Sequence, residues 1–152
     1  MKPNIYAPKL PLPTRTGSPG LDIVVPFTTR PLTRAALTAA GRLSAGLLPL
    51  IRMVRTQVVP FPLQLEAAPI SAAVLRRQYA PLADEFGAHL QICFTRDPRE
   101  GLQHLVSKDS VVLIAARRRW KYWWPSREER LAEWLRERGY FVVLEFVEKN
   151  NA

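Results

Sequence analysis

The feature that most constrains the fold is a repeated alternation between short runs rich in β-branched residues and longer segments with helical periodicity. The β-branched runs cover residues 21–26, 50–59, 89–95, 111–115 and 140–147. Strands that alternate with helices form a mainly parallel sheet, because each right-handed crossover packs a helix on one face before the next strand begins. The sequence therefore predicts an α/β fold with the order β-α-β-α-β-α-β-α-β.

The segments between the runs carry boundary signals typical of helices. The first helix is predicted to begin near residues 29–31, with proline at an early helical position, and to end at Gly46. The third begins at Asp97–Pro98, and the fourth begins at a capping box formed by Ser126 and Glu129. Gly139 is expected to end the fourth helix before the last strand.

The second helix and the second strand each carry an unusual residue. The helix spans about residues 70–86, where Pro81 is expected to kink or shorten it. Its predicted core residues are Ile70, Val74, Leu82 and Phe86. In the second strand, Arg52 and Arg55 are predicted to share the side opposite the apolar residues, which suggests a strand that extends beyond the covered part of the sheet.

Length and composition favour one domain with tails at both ends. A chain of 152 residues with 47% apolar and 23% charged residues can form one substantial core, assigned here to residues 21–148. Residues 1–20 contain five prolines and predict a Pro-rich flexible tail, and residues 149–152 form a short C-terminal tail. No apolar run reaches the roughly 18 residues of a transmembrane segment, so we expect a cytoplasmic protein.

The residues that usually carry catalysis or metal binding are sparse. The single cysteine, Cys93, lies in an apolar run and is predicted to be a buried thiol. The two histidines lack the spacing of a metal site, so no metal is expected. No histidine, carboxylate pair or activated nucleophile is placed by pattern near a ligand crevice, and we predict that the protein is not an enzyme.

The loop after the fourth strand is the strongest candidate for a binding site. It contains four cations, Arg117, Arg118, Arg119 and Lys121, and three tryptophans, Trp120, Trp123 and Trp124. In a parallel sheet this loop lies at the carboxyl ends of the strands, where ligands bind and where residues 26–29 would converge with it. The cations offer donors to phosphate, an aromatic ring can stack on a base, and Ser126 adds a helix N-terminus.

A second interpretation of the same loop is structural. The tryptophans would then fold over the sheet edge or a dimer seam, and the arginines would be solvated or bind surface carboxylates. The net charge of +9 is compatible with a phosphate ligand, single-stranded nucleic acid or an anionic membrane surface, and does not choose among them.

Three segments resemble the universal stress protein family. They are the opening run Ile23 to Pro26 with the alanine-rich helix after it, the short helix entered by Asp97–Pro98, and the strand-loop-helix from Val111 to Leu135. The resemblance covers residues 21–147. It implies a five-stranded parallel sheet of order 3-2-1-4-5 with helices on both faces, and a homodimer formed through the last strand, residues 140–147.

The resemblance also allows the family's ATP-binding residues to be compared with this sequence. Many members of the family bind ATP through an acidic residue after the first strand and a loop G-x2-G-x9-G-[ST] after the fourth. Here Thr28 stands in place of the acidic residue, and Ala115, Arg118 and Pro125 stand in place of the glycines. Only Ser126 is retained, and the longer spacer has six residues, 119–124, instead of nine. Glycine permits close approach of backbone to phosphate, so this ATP cradle and its cofactor are not expected.

We therefore interpret the chain as a non-enzymatic regulatory or interaction module of universal-stress-protein type that has lost the usual ATP site. The alternative is a nucleotide or polyanion binder, including a binder of single-stranded nucleic acid, that uses the basic-aromatic loop 117–124. The candidate anion ligands are Thr28, Arg117, Arg118, Arg119, Lys121 and Ser126, and the candidate aromatic contacts are Trp120, Trp123 and Trp124.

Overall fold

The computed structural model describes residues 3–6, 20–119 and 123–148 of the chain. The strands are β1 (Asn4–Tyr6), β2 (Asp22–Pro26), β3 (Leu50–Val58), β4 (His89–Thr95), β5 (Val111–Arg117) and β6 (Phe141–Val147). The α-helices are α1 (Arg30–Leu43), α2 (Ala72–Glu85), α3 (Pro98–Leu105) and α4 (Arg127–Glu137), and a 3-10 turn covers Leu65–Ala67.

The six strands form one sheet in the order β1-β4-β3-β2-β5-β6. The five strands from β2 to β6 are all parallel, and their order is the predicted 3-2-1-4-5. Residues 111–115 lie in a central strand beside β2, as predicted. The α/β fold class is therefore confirmed.

The sheet is covered on both faces, because each inner strand sends alternate side chains to opposite sides. On one face Val25 and Met53 pack in a core with Leu37 of α1 and Leu82 of α2. On the other face a second core joins the inner strands to α3 and α4. Its members include Val24, Val54, Ile114, Leu102 and Leu135. Among the described helices, none is long and apolar enough to cross a bilayer.

Strand β1 was not predicted. Residues 1–20 were expected to form a flexible tail, but Asn4–Tyr6 pair antiparallel to β4, with Ile5 opposite Cys93. The pairing covers the edge that β4 would otherwise expose. Three residues between prolines are too few to show a strand period, which explains why the pattern gave no signal. The rest of the predicted tail, apart from Pro3 and Gly20, and the tail at 149–152 lie outside the described residues.

The second helix starts later than predicted, and of its predicted core residues Leu82 is buried, Phe86 packs partly buried against the core, and Ile70 and Val74 are exposed. Ser71 caps α2 by accepting a hydrogen bond from the Val74 amide, so the predicted core residues Ile70 and Val74 are exposed. The buried residues are Leu75, Tyr79, Leu82 and Ala83. The helix continues through Pro81, which is exposed, so the carbonyl that loses its donor can be hydrated.

The prediction that Arg52 and Arg55 share one side of the second strand was wrong. Residues three apart in a strand face opposite sides, and Arg52 is buried between the sheet and α3. Its guanidinium makes a two-point ion pair with Asp22 of β2, with N···O distances of 3.1 and 2.8 Å. It also donates to the Gln91 side chain of β4 at 3.0 Å and to the Leu105 carbonyl of α3 at 2.9 Å.

We expect Arg52→Ala to lower the free energy of unfolding by about 3–5 kcal/mol, because it leaves the Asp22 carboxylate, whose side chain is only 12% exposed, without its counter-charge. The matched control is Arg42→Ala, which removes an exposed ion pair with Glu145 and should cost less than about 1 kcal/mol. Urea unfolding followed by circular dichroism measures both. Equal losses in the two variants would contradict the structural role given to Arg52.

Cys93 is fully buried, as predicted, and burial raises the pKa of its thiol to about 11. The reactive species is the thiolate, so alkylation at pH 8 should be at least about a hundredfold slower in the folded protein than in urea. An added thiol at the exposed position, Ala73→Cys, is the control and should react rapidly in the folded state. Two equally reactive thiols in the folded variant would show that Cys93 is accessible.

Candidate functional site

A crevice opens at the carboxyl ends of the strands because β2 is shorter than its neighbours. Pro26, the last residue of β2, is level with Val54, and β3 continues to Val58. On the other side Val24 is level with Val112, and β5 continues to Arg117. At about 3.3 Å per residue, both neighbours extend roughly 10 Å beyond β2. The gap above Pro26 is a crevice of about 600 Å³.

The crevice is lined mainly by polar and cationic side chains. Four arginines come from three elements: Arg55 from β3, Arg99 from α3, and Arg127 and Arg130 from α4. The carboxylates in its lining are Asp97 and Glu128. Asp97 caps α3 by accepting a hydrogen bond from the Arg99 amide at 2.9 Å. The positive ends of α3 and α4 also point toward this side, so the crevice is suited to an anion.

Arg55 is held in position by aromatic rings. Its guanidinium carbon lies 5.5 Å from the centre of the Phe27 ring and 5.2 Å from that of Tyr79. The two rings meet edge to face at 4.8 Å. Cation–π contacts fix the plane of the guanidinium. Its terminal nitrogens donate to the Thr56 carbonyl and, at 3.5 Å, to the Gln57 side chain.

Two buried polar atoms at the crevice lack partners within the described residues. They are the Thr28 hydroxyl oxygen and Nε of Arg55. The Thr28 backbone N–H, in contrast, donates to the Thr33 hydroxyl at 3.1 Å. A buried polar group without a hydrogen bond is costly, so both atoms are suited to bind a ligand or water.

Ser126 is engaged in the predicted capping box. Its hydroxyl accepts a hydrogen bond from the Glu129 amide at 3.2 Å, and its own N–H donates to the Glu129 carboxylate at 2.6 Å. The residue is buried and is not part of the crevice lining. The amide that a bound phosphate would use is therefore already occupied by a carboxylate.

The predicted loop residues lie outside the crevice. Arg117, Arg118 and Arg119 are exposed and do not line it. The Arg118 amide donates to the Val147 carbonyl at 3.1 Å, and its guanidinium lies 5.8 Å from the centre of the Phe146 ring. Lys121 and Trp120 fall outside the described residues.

The described tryptophans of the loop face solvent. Trp123 is 97% exposed and Trp124 is 77% exposed. These two rings therefore do not fold over the sheet edge of this chain, and the alternative, that they cover a dimer seam, stays a prediction. Of the candidate site residues that the structure describes, it brings only Thr28 into the crevice.

The crevice arginines were missed because they are far apart in the sequence. Arg55 is near the end of a strand, and Arg99, Arg127 and Arg130 occupy the first turns of two helices. In a parallel α/β fold all of these positions meet at the same edge of the sheet. A search for cations at strand ends and first helical turns would have found them.

Models of known protein families and the curated proteins give no match to this sequence. Within the described ranges, no group of three His, Cys, Asp or Glu side chains comes together as a metal site.

Proposed function

We propose that this protein is a non-enzymatic, cytoplasmic interaction module of universal-stress-protein type that forms a homodimer through β6. The observation that supports the proposal is the open edge of that strand. Among the described strands β6 pairs only with β5, at the end of the strand order, so one side of its backbone has no ladder partner in the part of the chain that the structure describes. The Val142 carbonyl accepts a hydrogen bond from the Arg136 side chain at 3.3 Å. An uncovered edge is the usual site for pairing with another chain.

The side chains of β6 favour a second copy as the partner. Phe141 is 64% exposed and Phe146 is 42% exposed, and Val143, Leu144 and Val147 are only partly buried. A two-fold axis beside this strand would bury the same apolar surface on both copies. The ion pair between Arg42 and Glu145 lies next to the strand and provides charges of both signs for an isologous contact.

The dimer is expected to be lost in Phe146→Pro. The Val147 carbonyl faces β5, since it accepts from the Arg118 amide, so the N–H of the neighbouring Phe146 faces outward. Proline removes that donor and is tolerated at an edge. Light scattering should give a dimer mass for the wild type and for the control Phe146→Thr, and a monomer mass for Phe146→Pro. A wild-type monomer at high concentration would refute the proposal.

A second candidate function is the binding of a small phosphorylated ligand or another polyanion. The observation that favours it is the arginine-lined crevice, whose volume of about 600 Å³ is that of a typical ligand pocket. Arg127 and Arg130 at the start of α4 supply forked donors to phosphate. The basic loop with Arg117, Arg118 and Arg119 is the competing site, and it is also the site proposed for single-stranded nucleic acid.

Neither site favours ATP in the manner of the resembled family. Ala115 is buried in β5, and Ser126 uses its amide for the Glu129 carboxylate. The remaining recognition is by charge, which positions a phosphate without reading its base. Among the described residues, the lining also lacks two free carboxylates for acid–base catalysis, since Asp97 is engaged as a helix cap and Glu128 is the other carboxylate of the crevice.

We expect ATP and GTP to bind with similar, weak affinity that falls steeply as salt increases. Isothermal titration calorimetry of two charge-matched variants separates the sites. Arg127→Ala with Arg130→Ala should weaken binding by at least about tenfold if the crevice holds the phosphates. Arg118→Ala with Arg119→Ala should leave it nearly unchanged. A reversed pattern would assign binding to the loop, and a micromolar, salt-insensitive preference for ATP in both variants would contradict this account.

A further inference from the structure

Two loops at the carboxyl edge of the sheet present large apolar side chains to solvent. Trp123 and Trp124 follow β5, and Phe61, which is 87% exposed, follows β3. Only β2 separates β3 from β5 in the sheet, a distance of about 10 Å between those strands. Tryptophan and phenylalanine side chains are rarely so exposed, and apolar groups clustered on one side of a protein mark an interaction surface.

The loop that carries Phe61 is held rigidly. Arg96 donates to the Val59 carbonyl at 2.8 Å and also to the Leu63 carbonyl. The Leu63 amide closes a turn onto the Pro60 carbonyl at 3.0 Å. These three hydrogen bonds fix the turn on both sides of Phe61. The exposure of the ring is a consequence of this geometry and not of a frayed chain end.

The segment that carries the tryptophans is rich in basic residues, and the carboxylates nearest to it in the sequence are Glu128 and Glu129 at the start of α4. From Val111 to Arg127 the sequence contains five basic residues and no acidic residue. Arg117 and Arg118 are exposed at the end of β5. The positive ends of the helix dipoles also face this edge, because each helix begins where a parallel strand ends. Apolar side chains and positive charge therefore occupy the same edge of the molecule.

We propose that the carboxyl edge of the sheet binds the surface of an anionic phospholipid bilayer. Phe61, Trp123 and Trp124 enter the interface, and Arg117 and Arg118 contact lipid phosphates. Indole rings favour the boundary between headgroups and acyl chains, and nearby arginines add electrostatic attraction to anionic lipids. None of the proposed interface residues lies in β6, but the two surfaces adjoin, since the Arg118 guanidinium lies 5.8 Å from the centre of the Phe146 ring.

The composition of the edge favours a lipid surface over single-stranded nucleic acid. Val58 and Leu63 are exposed beside Phe61. Aliphatic side chains gain free energy in hydrocarbon but offer no flat ring for a base. A surface that binds single-stranded nucleic acid would gain binding free energy from aromatic rings, which stack on bases, and not from aliphatic side chains. The exposed aliphatic side chains therefore favour a lipid partner.

The experiment is flotation of the full chain with vesicles of phosphatidylcholine alone or mixed with phosphatidylglycerol. Binding should be stronger to the mixed vesicles, and lipids with brominated acyl chains should quench the tryptophan fluorescence. Phe61→Ala, and Trp123→Ala with Trp124→Ala, should each lower the partition coefficient by about tenfold on both vesicle types. Arg117→Ala with Arg118→Ala should lower it by about fivefold per arginine, on the anionic vesicles only.

The matched control is Leu47→Ala with Leu48→Ala, which removes two exposed apolar side chains from the loop before β3, at the opposite edge of the sheet. This variant should bind vesicles like the wild type, and circular dichroism should show that every variant is folded. Absent vesicle binding would overturn the proposal, as would binding that none of the edge variants weakens. Binding of an oligouridylate that requires Phe61 and both tryptophans, without vesicle binding, would assign the edge to single-stranded RNA.

Discussion

The arrangement of the sheet depends on the buried contacts of Arg52. One guanidinium joins β2 through Asp22, β4 through Gln91 and the end of α3 through the Leu105 carbonyl, while Ser110, just before β5, donates to the same Asp22 carboxylate. A buried charge is tolerated only where its partners are correctly placed, so any slip in strand register leaves it unpaired. Apolar contacts alone specify register less strictly, because many shifts by two residues bury similar side chains. The ion pair thus selects one alignment of the central strands.

This alignment at the amino ends determines what happens at the carboxyl ends. Once Asp22 is level with Leu50 and Val24 with Val112, the lengths of the strands decide which of them extend farther. β2 stops first, and its neighbours continue past it on both sides. The crevice, the Phe61 turn and the loop after β5 are therefore consequences of register and strand length together. The Arg52 network lies toward the amino ends of the strands, and the crevice and the exposed loops lie at the carboxyl ends.

Much of the fold could be predicted from the sequence because its signals are local. The β-branched runs, the Asp97–Pro98 start and the Ser126 capping box each need only a few neighbouring residues, and the structure has all of them. The role of Arg52 could not be predicted in this way. Its partners are 30 residues or more away in the sequence, so only the folded sheet brings them together. The strand Asn4–Tyr6 could not be predicted for the same reason, because it forms by pairing with β4, which is far away in the sequence.

The candidate site likewise depends on residues that are far apart in the sequence. A run of arginines and tryptophans is easily recognised in a sequence, and for this reason the binding site was predicted at residues 117–124. The crevice arginines are single residues at the starts of helices and near the end of a strand, and they converge only because parallel strands place all those positions at one edge. Arg55 differs from the other arginines in how it is held. Its guanidinium lies between two aromatic rings, whereas the other crevice arginines and the loop residues Arg117 and Arg118 are exposed to solvent. A fixed guanidinium can select the shape of a small anion, and exposed ones are suited to an extended surface that has no single shape.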